Sequence, residues 1–246
     1  MESQTTVIEI RDAAIYHRQD GGVVGKADNP NNNMILSDIN VRIGKGELVY
    51  LIGRVGSGKS SFLKTLYAEV PLVTGEGYVA GFYLRKLKRK DIPKLRRRLG
   101  IVFQDYKLLS DRNVFQNLRF VLKATGWKDE AKITARIEEV LTLVDLLHKT
   151  HKMPFQMSGG EQQRLAIARA LLNSPEVILA DEPTGNLDPA AADIIMKIFN
   201  DIIASTGCSV VMATHNITNL QKYPSRTLRF NHGIIEDIDI KSIFGC

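Results

Sequence analysis

Leu48 to Leu66, "LVYLIGRVGSGKSSFLKTL", narrows the possible folds of this 246-residue chain more than any other stretch. The apolar run "LVYLI" suits a central strand covered on both faces. A glycine-rich loop follows it at once, and a helical pattern runs from Lys59 to about Glu69. Strand, loop and helix in that order make the repeating unit of a parallel sheet. Gly53 to Ser60 also match G-x-x-x-x-G-K-[ST], in the strand-to-helix context that the motif requires. Gly53, Gly56 and Gly58 permit the unusual dihedrals and close backbone approach of a loop wrapped round phosphates. Arg54, Val55, Ser57 and Ser61 complete the cradle. Lys59 can reach β- and γ-phosphates, and the Ser60 hydroxyl can ligate Mg²⁺.

A second piece matches the first. In "VILADEP", Val177 to Ala180 read as a buried strand that ends in Asp181 and Glu182. Carboxylates in that position are costly unless they have a task. Asp181 would hold Mg²⁺ through its water shell. Glu182 would act as general base toward an attacking water. A third piece is "MSGGEQQRLAIARA", beginning at Met157. Ser158, Gly159 and Gly160 stand at the start of a helical run, where free backbone N–H groups make an anion site. By itself this reads equally as a capped helix.

Around these pieces the pattern alternates. Strands are expected from Val7 to Tyr16, from Ile39 to Ile43, at "VILAD" and at "SVVMAT", with two more short strands near the C-terminus. Helices are expected after Gln162 and from Pro189. Ile133, Ile137, Val140, Leu141, Val144 and Leu147 recur with the period of an amphipathic helix over Asp129–Leu147. With "NVFQNLRFVLKAT" before it, this suggests a helical subdomain inserted over roughly residues 105–160. The expected architecture is α/β, a single domain over residues 1–246. Its P-loop NTPase core has a mostly parallel sheet, joined by an antiparallel β subdomain and the inserted helical one. Asp20–Asn33, rich in Gly, Asn and Asp, reads as a loop.

Composition agrees with a folded domain. Apolar residues make up 44% and charged residues 24%, enough for a core and a solvated surface. The two cysteines, Cys208 and Cys246, are too few for a disulfide framework and fit a reducing compartment. No window approaches the ~20 apolar residues of a membrane helix, and "MESQTTVIEI" lacks the pattern of a signal peptide. Membrane work would need a partner. The net charge of +6 favours phosphates, nucleic acid or anionic lipid without choosing among them.

In order, "GRVGSGKS", Gln104, "SGGEQQR", "ILADEP", "GNLD" and His215 resemble the nucleotide-binding subunit of an ABC transporter. The resemblance covers nearly the whole chain, and "SGGEQQR" is its most specific element. It implies an ATP- and Mg²⁺-dependent ATPase that works as a head-to-tail homodimer. Ser158, Gly159, Gly160 and Glu161 would then serve the γ-phosphate bound to a second copy. Gln104 corresponds to a Mg²⁺ and water contact that reports to a membrane partner; on its own it reads as a solvated strand end. Asp188 corresponds to the loop that communicates across the dimer; on its own it reads as a helix N-cap. His215 corresponds to a switch histidine at the γ-phosphate; alone it reads as structural. Tyr16 would stack on adenine, with a strand-end core tyrosine as the alternative.

Glu161 in the fifth signature position resembles the branch containing the cell-division ATPase FtsE, the lipoprotein-release ATPase LolD and the ATPase domain of MacB. Asp105 and "LLSDRNVFQN" look most like the FtsE pattern. That implies a peripheral subunit at the cytoplasmic face of the inner membrane, with an FtsX-like integral membrane protein and a role in regulating cell-wall hydrolases. A LolD-like subunit is the alternative. A soluble ABC-type ATPase acting on nucleic acid or ribosomes fits less well, because those relatives carry tandem domains or long coiled coils; no nucleic-acid partner is expected. The basic run "RKLKRKDIPKLRRRL", Arg85 to Leu99, reads first as a solvated face. Proximity to anionic headgroups is its other reading.

Overall fold

A computed structural model describes residues 5–16 and 34–239 of the chain. The loop expected at Asp20–Asn33, with its bearing on adenine, and Cys246 lie outside the described residues. The chain opens with two long antiparallel strands, β1 (Thr6–Tyr16) and β2 (Met34–Gly44). Next come β3 (Leu48–Gly53), α1 (Lys59–Leu66), β4 (Glu76–Val79), β5 (Phe82–Tyr83), α2 (Ile92–Arg97) and β6 (Leu99–Val102). Three helices follow: α3 (Val114–Ala124), α4 (Glu130–Leu143) and α5 (Gly159–Leu171). The last third alternates through β7 (Val177–Asp181), α6 (Pro189–Thr206), β8 (Ser209–Ala213), α7 (Ile217–Lys222), β9 (Arg226–Asn231) and β10 (Ile234–Ile238).

These strands form two sheets, a four-stranded one ordered β2-β1-β4-β5 and a six-stranded one ordered β10-β9-β3-β8-β7-β6. The first is antiparallel throughout. In the second, β9, β3, β8, β7 and β6 are parallel, and only β10 runs against its neighbour. β10 turns back through His232 and Gly233, at φ 46° and 81°, the paired positive values of a tight hairpin turn. The α/β fold with parallel and antiparallel parts is as the sequence led us to expect.

The central strands β3, β8 and β7 of the six-stranded sheet are buried on both faces, and they divide their side chains between two cores. Tyr50, Ile178, Ala180, Val210 and Met212 face a core shared with α3, α4, α5 and α6. Their alternates Val49, Leu51, Val177, Leu179, Val211 and Ala213 face a second core shared with β1, β2 and α1. Burying a Val, Leu or Ile side chain contributes roughly 1.5–3 kcal/mol, so period-two patterning on both faces holds the three layers together. Tyr50 is fully buried and donates its hydroxyl to the Tyr223 carbonyl at 2.8 Å. Cys208 is also buried, which pushes its thiol up to about 12.

Several boundaries differ from the sequence reading, each for a backbone reason. The helix expected over Asp129–Leu147 starts at its Asp129 cap and ends at Leu143, because Asp145 turns left-handed at φ 55°. Leu147 therefore leaves the apolar stripe and is exposed. α1 stops before Glu69, with Ala68 at φ 55°. Strands β4 and β5 and helix α7 had no strong pattern. β4 and β5 are joined by a turn at Ala80 and Gly81, and α7 is started by Asn216, whose side chain accepts from the Asn219 N–H at 3.2 Å.

Candidate functional site

Parallel register brings the sequence motifs to one edge. Leu51 pairs with Ala213, Asp181 with Ala213, and Val102 with Ala180. Gly53, Gln104, Asp181, Glu182 and His215 thus all lie at or just past the C-terminal ends of adjacent strands, where open parallel sheets build sites.

Gly53 to Ser60 link β3 to α1. Gly53, Gly56 and Gly58 have φ of 148°, 81° and 102°, a region that L side chains rarely adopt. A Cβ on Gly53 would stand 2.5 Å from the Phe230 carbonyl oxygen, and one on Gly58 would stand 2.9 Å from Ile35 Cγ2. The loop therefore closes only with glycine at both ends. Lys59 is buried, and its ammonium donates to the carbonyls of Gly53 at 2.8 Å and Arg54 at 3.1 Å. Arg54, Val55 and Ser57 line a cleft with Ile35, Phe230 and His232, and Ser61 lines the adjoining cleft at the helix start. Val55 is fully exposed at the loop tip. Tyr16 pairs with Met34 at the end of the β1–β2 ladder, one residue from the Ile35 that abuts Gly58.

Opposite the loop, Ser60 Oγ donates to Asp181 Oδ1 at 3.2 Å. Two hard oxygen donors from different elements meet there, a donor set that suits Mg²⁺. Glu182 follows at φ 49°, held by its N–H on the Ala213 carbonyl at 3.0 Å. Non-glycine residues in this region are strained by about 1–2 kcal/mol, and such strain persists where surroundings over-determine it. The ring Nδ1 of His215 lies 2.8 Å from Glu182 Oε2, and the His215 N–H donates to the same oxygen at 3.3 Å. The imidazole is mostly exposed while the carboxylate is mostly covered. Gln104 reaches the same neighbourhood: a Cβ on Gly185 would stand 3.7 Å from Gln104 Nε2 and 3.6 Å from Glu182 Cβ.

Ser158 N-caps α5 in a reciprocal box. Its hydroxyl accepts from the Glu161 N–H at 3.3 Å, and its own N–H donates to Glu161 Oε2 at 3.0 Å. Lys149 pairs with the same carboxylate and holds Glu161 below the usual carboxylate range. Within one chain, then, Glu161 shapes the helix start. Gly159 and Gly160 keep that start thin: a Cβ would meet the Tyr106 hydroxyl at 3.0 Å or Ala191 Cβ at 3.2 Å. Asp188 caps α6, accepting from the N–H groups of Ala190 and Ala191 at 3.0 and 2.9 Å.

One structural residue near the site was not singled out in the sequence. Asn117 is buried on α3 and binds the loop after Gln104 through Leu109, Arg112 and Asn113. Its only sequence signal is a polar residue inside an apolar helical stripe.

Residues 36–185, which carry Gly53–Ser61, Gln104, Ser158–Glu161, Asp181 and Glu182 but not Tyr16, Asp188 or His215, match the ABC transporter family. The chain belongs to that family. It is a nucleotide-binding, ATP-hydrolysing ABC cassette. It is 41% identical over 240 residues to "Cell division ATP-binding protein FtsE" of Streptococcus pneumoniae serotype 2, covering 98% of each chain. FtsE of Bacillus subtilis is 43% identical over 216 residues, covering 88% of this chain and 94% of its own. Among solved structures, the ATP-binding cassette MJ0796, a dimer bound to ADP and Pi in a post-hydrolysis state, superposes with a TM-score of 0.80. It is 28% identical and covers 95% of this cassette and 98% of its own chain. The cassette has no helix among its described residues long and apolar enough to cross a membrane.

Proposed function

We propose that this ABC cassette is the FtsE-like ATPase subunit of a membrane-associated complex in cell division. It works as an ATP-sandwich homodimer at the cytoplasmic face of the cell membrane. An FtsX-like integral membrane protein passes its cycle to the regulation of cell-wall hydrolases. The observation that carries this reading is the end-to-end match to FtsE, 98% of both chains.

The chain's residues divide the chemistry. The loop N–H groups of Gly53–Ser61 and the Lys59 ammonium cradle β- and γ-phosphates, and Tyr16 stacks on adenine. Ser60, Asp181 and Gln104 would hold Mg²⁺, which neutralises phosphate charge and polarises the transferred group. Glu182 accepts the proton of the attacking water. His215 donates from Nδ1 to Glu182, which fixes the carboxylate and leaves the other ring nitrogen to face the γ-phosphate. Ser158, Gly159 and Gly160 of a second copy present their N–H groups and the positive helix end to that phosphate. Asp188 lies where the two copies meet. ATP favours the closed dimer by its differential affinity for closed over open, and hydrolysis withdraws that bias.

Glu182→Gln tests the reading. It removes the base, keeps the side-chain shape, and should slow single-turnover hydrolysis by ~10²–10⁴ with ATP binding intact. Near-normal hydrolysis in this variant would count against the role of Glu182. Co-purification of the full chain from membranes should recover a multi-span integral membrane protein. Recovery of nucleic acid with no membrane protein would reverse the assignment of partner.

A further inference from the structure

Helix α5 touches the strand and loop that carry Gln104 at three successive points. Near its C-terminal end, Ala170 abuts Gly100 of β6, where a Cβ would stand 3.0 Å from the Ala170 carbonyl oxygen. At its first residue, Gly159 faces the Tyr106 hydroxyl, which a Cβ there would approach to 3.0 Å. Between these, the guanidinium of Arg169 donates to two consecutive backbone carbonyls, those of Tyr106, at 2.7 Å, and Lys107. Both of those residues are left-handed, at φ 58° and 50°. Consecutive left-handed residues without glycine do not persist by local preference. Something outside the segment must hold them, and the planar fork of Arg169 binds both of their carbonyls at once. The Arg169 side chain is half-buried, and its partial desolvation lowers the guanidinium pKa.

The consequence is mechanical. Gln104 is two residues before Tyr106, and Ser158–Gly160 begin the helix that Arg169 sits on. We infer that Arg169 is a positioning residue which ties the Gln104 loop to the signature helix, so that the two half-sites of one chain move as a unit. Gln104 serves the chain's own nucleotide, whereas the helix start serves that of a second copy. A displacement at either one is then carried to the other without a change in the P-loop. The inference rests on the role given to Gln104 under the proposed function.

The experiment is a double-mutant cycle on the full chain. Gln104→Ala, Arg169→Lys and the double variant are compared in single-turnover ATP hydrolysis. Binding of a non-hydrolysable ATP analogue and Tm are measured alongside. Lysine keeps the charge and most of the length but loses the fork. Arg169→Lys should lower the hydrolysis rate by about 10²-fold, the scale of a small misplacement of a catalytic group, with unchanged analogue affinity. The double variant should be no slower than the slower single variant, because both changes interrupt one connection. Wild-type hydrolysis in Arg169→Lys, or losses that multiply in the double variant, would overturn the tether while leaving Gln104 in its role. Wild-type hydrolysis in Gln104→Ala would remove the role of Gln104, and the tether with it. Arg169→Met, which keeps apolar bulk, gives a second reading should the lysine variant lose its folded Tm; it too should slow hydrolysis and spare analogue binding.

Discussion

At the scale of single residues, the decisive contact is His215 Nδ1 against Glu182 Oε2 at 2.8 Å. A carboxylate at the end of a buried strand would otherwise rotate freely toward solvent. The ring and the His215 N–H both hold one oxygen, which leaves the other oxygen for a water. His215→Ala removes the ring donor and leaves the base unoriented. Single-turnover hydrolysis should fall by about 10²-fold with equal affinity for ATP, and a fluorescent nucleotide titration beside the rate assay separates the two. A loss of affinity equal to the loss of rate would show that His215 binds ground-state nucleotide instead. His215 was legible in the sequence only through motif order. Its partnership with Glu182, 33 positions earlier, was not, because nothing in either local stretch records the other.

At the scale of elements, the start of α5 carries a reciprocal cap on the same turn that we propose meets the γ-phosphate of a second copy. The Ser158–Glu161 box satisfies two first-turn N–H groups, and Lys149 braces the carboxylate. Ser158→Ala should destabilise the fold by about 1 kcal/mol, the ordinary loss of an N-cap. Chemical denaturation measures this, and Asp188→Ala at the start of α6 should behave alike. The pH dependence follows from Glu161. Its folded pKa lies below its unfolded value, so the unfolded chain binds more protons as the medium turns acid. Its contribution is complete above the unfolded carboxylate pKa of roughly 4.3 and is lost as pH falls through the folded value. Glu161→Gln should therefore flatten the acid limb of the Tm profile relative to wild type. An unchanged acid limb would show that the box carries no ionic part. The box pattern S-x-x-E was present in the sequence; Lys149 was not predictable from it, because that residue lies on a separate short turn.

At the scale of the whole molecule, the P-loop and the signature helix start are both on the described surface, and Val55 at the loop tip is fully exposed. An exposed apolar tip beside a phosphate cradle suits burial against a second copy. In the Glu182→Gln variant, sedimentation should give dimer with ATP and monomer with ADP, with the dimer fraction rising with protein concentration. Ligand linkage sets the scale: saturation at 100 times Kd stabilises the bound state by about 2.7 kcal/mol. Monomer at every ATP concentration would contradict the composite site. Val55→Asp should weaken the ATP dimer while sparing ATP binding by the single chain.

The sequence by itself determined which local units form: the strand–loop–helix at Leu48–Leu66, the carboxylates after Val177–Ala180, the amphipathic α4 and the capped start of α5. Each is written in residues a few positions apart, where spacing, glycine and capping chemistry act directly. Only the tertiary structure decided how they meet. The parallel register of β3, β8, β7 and β6 gathers Gly53, His215, Glu182 and Gln104 on one edge. Packing also imposed the left-handed turns at Tyr106, Lys107, Asp145 and Glu182. Local preference opposes those turns, so no residue pattern announces them; they exist because distant groups, such as Arg169 and the Ala213 carbonyl, hold them in place.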